Sequence, residues 1–133
     1  MQEPHLFEYA VIRVVPHVER EEFLNVGVIL YCAHEKFLQC TTEIDEARLS
    51  TLCDKIDFDD LRNHIRSFER ICAGGKDAGP IGKLSMAERF RWLTSPRSTI
   101  VQTSKVHPGL CTDAAKMLSH LYEQLVSRAP DES

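Results

Sequence analysis

The chain has 133 residues, of which 43% are hydrophobic and 27% charged, and its formal net charge is −4. A chain of this length can bury a core in one piece, so we expect a single domain over residues 1–133. The net negative charge disfavours general binding to nucleic acid or to an acidic membrane. The longest apolar run, residues 26–33, is far shorter than the roughly 20 residues that a membrane-spanning helix requires.

The N-terminal residues lack the cationic segment and apolar run of a secretory signal. The cysteines are odd in number and scattered, and they form no CxxC pair: Cys32, Cys40, Cys53, Cys72 and Cys111. This pattern is typical of free thiols in a reducing compartment rather than of a disulfide framework. We therefore expect a cytoplasmic location.

Three strands are predicted in the first third of the chain. Residues 7–15 alternate between two faces, and Pro16 is expected to end this strand. Residues 17–22 are polar and predict an exposed connection. Residues 25–33 are apolar on both faces, which indicates a central strand, and residues 36–42 would pair with it as a hairpin.

From residue 45 the apolar spacing becomes that of a helix, first over residues 45–54. A second helix is predicted from its cap, Asp57, with a buried stripe and a stop at residues 74–75. Its stripe contains Leu61, Ile65, Phe68 and Cys72. Residues 74–84 are predicted to be flexible. Ser85 and Glu88 have the spacing of a capping box and would open a third helix, which ends near Leu93.

The last part of the chain predicts a fourth strand over residues 98–103, a turn at His107-Pro108-Gly109, and a final helix capped by Thr112 or Asp113. The order of elements favours an α+β fold. We expect a small antiparallel sheet of about four strands with helices packed on one face.

The sequence contains no complete motif for catalysis or metal binding. Residues 79–83 resemble a phosphate-binding P-loop, but Asp77 and Leu84 stand where that loop needs Gly and Ser or Thr. The histidines and cysteines lack the spacing of metal ligands, so we expect no metal site and no cofactor. Cys111, four residues after His107, is interpreted as a buried packing residue rather than a nucleophile. The sequence therefore favours a protein without enzymatic activity, but it does not decide whether the protein is an enzyme.

The strongest local signal is a stretch without acidic residues, Arg89 to Thr112, which we name the cationic segment. Its positive residues are Arg89, Arg91, Arg97 and Lys105, and several hydroxyl side chains accompany them. Arginine and neighbouring hydroxyls suit a phosphate or carboxylate ligand, and Arg97 is predicted at a junction of loop and strand. The alternative, which we favour on general grounds, is internal pairing of these cations with the acidic residues of 19–22 or 43–46.

Two segments together are similar to a known family. Residues 9–30 (YAVIRVVPHVEREEFLNVGVIL) and residues 89–111 (RFRWLTSPRSTIVQTSKVHPGLC) resemble the bacterial DUF3037 family, a domain of unknown function that would span nearly the whole chain. The resemblance implies no established activity. It implies a protein partner, because members of the family are often encoded beside HipA-like kinases.

We therefore expect a non-enzymatic protein-interaction module that works with a partner such as a HipA-like kinase. The alternative is an enzyme or sensor that binds a phosphorylated or other anionic small molecule, with His107 as acid–base. The residues predicted to bind the ligand are Arg13, Arg20, Asn25, Arg91, Arg97, Ser98 and His107. Nucleic acid is a less favoured partner at this net charge, and no membrane partner is expected.

Overall fold

The computed structural model describes residues 3–127, so both ends of the predicted domain, residues 1–2 and 128–133, lie outside the described part. The strands are His5–His17 (β1), Glu22–Cys32 (β2), Phe37–Thr42 (β3), Val101–Thr103 (β4) and His107–Cys111 (β5). The α-helices are Glu46–Leu52 (α1), Phe58–Ala73 (α2), Met86–Thr94 (α3) and Ala114–Leu125 (α4).

One antiparallel sheet contains all five strands. β2 lies between β3 and β1, as its apolar sequence predicts. The other edge of β1 is shared, because β4 pairs with residues 12–14 and β5 pairs with residues 5–9. The α+β class and the antiparallel sheet are confirmed, and the sheet has one strand more than we expected.

The additional strand, β5, begins at the segment that the sequence predicts as a turn. That prediction is wrong, since His107, Pro108 and Gly109 pair in register with Tyr9, Glu8 and Phe7. Proline has no backbone N–H to donate to a neighbouring strand. Pro108 is tolerated because β5 is an edge strand that pairs on one side only, with β1. A Cβ atom on Gly109 would lie 2.5 Å from the ring of Phe7, so the glycine lets β1 and β5 approach.

Helices cover both faces of the sheet rather than one. Helices α1, α2 and α3 pack on the face that carries Ala10, Ile12 and Val14. Helix α4 packs on the opposite face, against Leu30 and Cys32. The physical reason lies in β2, whose side chains are buried on both of its faces and therefore need a cover on each side.

Pro16 does not end β1, which continues to His17. The pairing of β1 with β2 shifts in register between Val14 and His17, so Pro16 lies at an irregularity of the ladder. A proline that lies at a bulge removes no regular ladder bond, which explains why the strand runs through it. The connection to β2 is a 3-10 turn over Val18–Arg20, in which Glu19 and Arg20 are exposed, in agreement with the predicted exposed link.

The helix caps follow the sequence closely. Asp57 accepts a hydrogen bond from the backbone of Asp60, Asp113 caps α4, and Ser85 forms a full capping box with Glu88. The predicted flexible stretch of residues 74–84 is instead folded into 3-10 turns over Lys76–Lys83. A backbone bond of 3.0 Å from Gly75 to Gly82 closes this segment, which packs against α2.

Candidate functional site

The site begins where α3 ends and the chain turns back toward β4. Ser95 is the C-terminal cap of α3, with extended backbone, and Pro96 prevents the helix from continuing. This turn places the guanidinium of Arg97 over the Trp92 ring, 5.7 Å from its centroid. Arg97 also donates a hydrogen bond to the carbonyl of Trp92. A cation at a helix C-terminus interacts favourably with the helix dipole. The dipole of α3 therefore also favours the position of Arg97 beside the Trp92 ring.

Two adjoining depressions share Arg97, Gln102 and Thr103, and we name them together the Arg97 cleft. One has a volume of about 100 Å³ and reaches His64 and Ser67 of α2. The other has a volume of about 190 Å³, and its lining also includes Thr94, Pro96, Ser104 and Lys105. Each depression is smaller than the roughly 300–1,000 Å³ of a cofactor pocket, so the cleft suits a small anion or a side-chain tip.

The positive charges around the cleft are not neutralised by internal ion pairs. Within residues 3–127, no carboxylate lies at ion-pair distance from the four cations of the cationic segment. Glu22 pairs with Arg20 at 3.7 Å, and Glu46 pairs with Arg62. The interpretation that the acidic stretches neutralise the cationic segment is therefore wrong for the described residues.

Arg89 differs from the other cations because it belongs to the fold. Its side chain is buried, at 8% exposure, and it donates a hydrogen bond of 2.6 Å to the carbonyl of Leu84. Arg91 and Lys105 are exposed, and Arg97 is half-buried. Three of the four charges therefore remain at or near the surface.

The structure divides the predicted ligand-binding residues between separate places. Arg91, Arg97 and Ser98 lie on α3 and the loop that follows it, with Ser98 exposed. Arg13 of β1 pairs with Asn25 of β2, and its guanidinium stacks 4.1 Å from the ring centroid of Phe23. These residues do not form one clamp.

Asn25, Arg20 and His107 have local partners of their own. The side-chain amide of Asn25 donates to the carbonyl of Leu125 at 3.0 Å and so ties β2 to the end of α4. Arg20 is exposed and pairs with Glu22. The ring of His107 lies 5.3 Å from that of Tyr9, and the Arg97 cleft is lined by His64 instead.

Three polar lining residues escaped the sequence analysis, namely His64, Ser67 and Gln102, whereas Thr103 is one of the hydroxyl residues of the cationic segment. His64 and Ser67 lie on the polar side of α2. Polar residues on that side are usual for any helix with a solvent-facing surface, so their positions indicate no site. Gln102 and Thr103 lie in a predicted strand, where nothing in the sequence indicates which helix they face. Only the packing of α2 beside β4 brings them together.

A second arrangement has the order of a catalytic triad. Cys53 Sγ lies 3.6 Å from His17 Nε2, and His17 Nδ1 lies 3.9 Å from Glu19 Oε1. However, Cys53 is the C-terminal cap of α1, where the helix dipole disfavours a thiolate. The side chain of Glu19 is 80% exposed, so water competes with it for the histidine. These contacts do not activate a nucleophile.

Taken together, the fold defines an α+β domain with an un-neutralised cationic cleft and no helix, among the described residues, that is long and apolar enough to cross a bilayer. The family described as "Protein of unknown function (DUF3037)" matches residues 9–126. The chain belongs to this family, which confirms the resemblance seen in residues 9–30 and 89–111. Searches of curated proteins and of solved structures found no match.

Proposed function

We propose that this chain is a non-enzymatic interaction module that docks an acidic surface of a partner protein on Trp92, Arg91 and Arg97. The observation that carries the proposal is the stacked pair of Trp92 and Arg97, in which the tryptophan remains 45% exposed. Tryptophan and arginine are the residue types most enriched among those that dominate binding energy. Here they stand together beside charges that meet no carboxylate at ion-pair distance within residues 3–127.

The local structure prepares this surface for binding. The hydrogen bond from Arg97 to the Trp92 carbonyl and the contact of its guanidinium with the Trp92 ring restrict the Arg97 side chain before any partner arrives. Restricting the conformation in advance lowers the entropy lost on association. The guanidinium, which has no carboxylate partner among the described residues, can then exchange water for a carboxylate of the partner protein.

A HipA-like kinase is the partner that the family resemblance implies, and we propose it as the first protein to test. We also place the module in a reducing cytoplasm, which the free state of all five cysteines supports. Within residues 3–127, Cys32 lies close to Cys111, and Cys40 and Cys72 line one depression, yet all four cysteines are free.

The test is titration calorimetry with a purified HipA-like kinase from the same organism. We expect Trp92→Ala and Arg97→Ala each to weaken binding about 30-fold, the loss expected for a dominant interface residue. Leu110→Ala is the matched control for an exposed apolar side chain, and Lys116→Ala is the control for an exposed cation on α4. Unchanged affinity in both surface variants would show that the surface is wrong, and no binding by the wild type would show that the partner is wrong.

The Arg97 cleft favours a second candidate function, a sensor or enzyme that binds a small phosphorylated or other anionic ligand. Arg97, Lys105 and the hydroxyl of Thr103 face one depression, which is the donor set that a phosphate group requires. In the same panel of variants, thermal unfolding with inorganic phosphate separates the two candidates. Stabilisation that is lost in Arg97→Ala and kept in Trp92→Ala supports the small ligand.

A further inference from the structure

We propose that Cys32, Glu35 and Cys111 form a binding site for a thiophilic divalent cation, Zn²⁺ in the first place, with solvent as the fourth ligand. The two thiol sulfurs and a carboxylate oxygen lie within 4.8 Å of one another. Cys32 ends β2, Glu35 lies in the turn that follows, and Cys111 ends β5. The site therefore joins two ends of strands on the side of the sheet that α4 covers.

The distances suit tetrahedral zinc after a small adjustment. Zinc binds cysteine sulfur at about 2.3 Å, and a tetrahedron with such bonds separates neighbouring ligand atoms by about 3.7 Å. Cys32 Sγ and Glu35 Oε2 are 3.9 Å apart. In addition, the spacing of two residues between Cys32 and Glu35 is the spacing that adjacent ligands of zinc sites commonly show.

The burial of the three residues fits a bound ion with one open position. Cys32 and Cys111 are buried, at 0% and 5% exposure, whereas Glu35 is exposed. The ion would be enclosed by sulfur on its inner side and would meet solvent beside the carboxylate. Two thiolates favour a soft or borderline metal, and the carboxylate oxygen favours Zn²⁺ over monovalent copper.

The surroundings also favour the charged ligand set. Both carboxylate oxygens of Glu35 accept from the backbone N–H of Ala114, at 3.2 and 3.0 Å, at the N-terminus of α4. Two thiolates, one carboxylate and Zn²⁺ have a net charge of −1, which the positive end of a helix stabilises.

Sequence reasoning missed this site because Cys111 is distant along the chain from Cys32 and Glu35. Only histidines and cysteines at short spacing were considered as ligands, whereas Cys32 lies in β2 and Cys111 lies in β5. His5 is the strand partner of Cys111, but its ring stacks on that of His34 at 3.6 Å. Among the described residues, three side chains therefore supply the ligand atoms of the site.

The test is titration of the reduced, metal-free protein with Co²⁺, followed by displacement with Zn²⁺. We expect one Co²⁺ per chain, with thiolate charge-transfer absorption and the visible bands of tetrahedral cobalt. Cys32→Ser and Cys111→Ser should each lose these bands. Glu35→Gln keeps an oxygen acceptor for the Ala114 N–H, so the fold is retained, and the affinity should fall by more than about 10-fold.

The matched control is the other thiol pair, Cys40 and Cys72. The Cys40 thiol raises the pKa of Cys72, chiefly through a hydrogen bond, so this pair is also closely placed. The double variant Cys40→Ser/Cys72→Ser should bind Co²⁺ like the wild type. Loss of binding in this control, or a wild type without thiolate charge transfer, overturns the proposal, as does a Glu35→Gln variant with unchanged affinity.

Discussion

At the scale of single residues, Tyr122 links α4 to the chain that follows β3. Its hydroxyl donates a hydrogen bond of 2.7 Å to Glu43 Oε2. Burial, together with this contact to Glu43, raises the pKa of Tyr122 to about 12. The phenol therefore holds its proton more tightly in the folded protein than in the unfolded chain, where its pKa is about 10.

This pKa predicts how the contribution of Tyr122 depends on pH. Because the folded pKa is raised, the contribution is complete below about pH 10 and disappears as the pH rises toward about 12. We expect Tyr122→Phe to lower the free energy of unfolding by about 1 kcal/mol near neutral pH and by less near pH 11. Urea unfolding of both proteins at the two pH values measures the difference. A difference that does not change with pH would contradict the assignment.

Ser104 shows how a residue type can suggest the wrong role. As one of the hydroxyls of the cationic segment, it fits a ligand cage. In the structure it is buried at 7% exposure, and its Oγ accepts from the backbone N–H of Val11 at 2.9 Å. It also donates to the carbonyl of Lys105. Its hydroxyl satisfies the N–H of Val11, which lies between the β1 residues that pair with β4 and those that pair with β5. The sequence could not show this because β5 itself was not predicted.

At the scale of elements, β5 depends on close contact with β1. The Cβ atom that alanine would add at Gly109 lies 2.5 and 2.7 Å from two ring atoms of Phe7, which is itself buried. We expect Gly109→Ala to destabilise the protein by about 1–3 kcal/mol, the usual cost of overpacking. Chemical denaturation measures this loss.

A double variant tests the cause of that loss. Phe7→Leu removes the ring and should leave room for the new methyl group, so the two substitutions together should cost less than the sum of their separate costs. Additive costs would mean that the contact with Phe7 is not the reason.

At the scale of the whole molecule, charge is segregated along the chain. The net charge is −4, yet the cationic segment holds no acidic residue and, within residues 3–127, meets no carboxylate at ion-pair distance. Charges at the surface are screened over about 10 Å at 0.1 M salt. A surface that binds through Arg91, Arg97 and Lys105 is therefore sensitive to ionic strength.

This segregation predicts the salt dependence of the proposed complex. We expect the dissociation constant of the complex with the HipA-like kinase to rise steadily between about 50 and 300 mM NaCl, mainly through slower association. The dependence should be weaker for Arg91→Ala and unchanged for Lys116→Ala. Surface plasmon resonance at several salt concentrations measures both rates. A complex insensitive to salt would mean that apolar contacts alone hold it.

The sequence by itself determined the local structure. The caps Asp57 and Ser85 and the stripe of α2 are confirmed, since a cap or a stripe depends on residues only a few positions apart. Of the two candidate caps of α4, Thr112 and Asp113, the structure has Asp113. The apolar run of β2 likewise predicted its central place. Membership of the family was also visible, because each of the two segments that carry it is one continuous stretch of sequence.

Tertiary structure alone decided what these elements bring together. The strand β5, the second helical layer, the Arg97 cleft and the trio of Cys32, Glu35 and Cys111 each join residues that are distant in sequence. Their contacts depend on which edge and which face of the sheet each element covers. That choice minimises exposed apolar area over the whole molecule, so no local pattern records it.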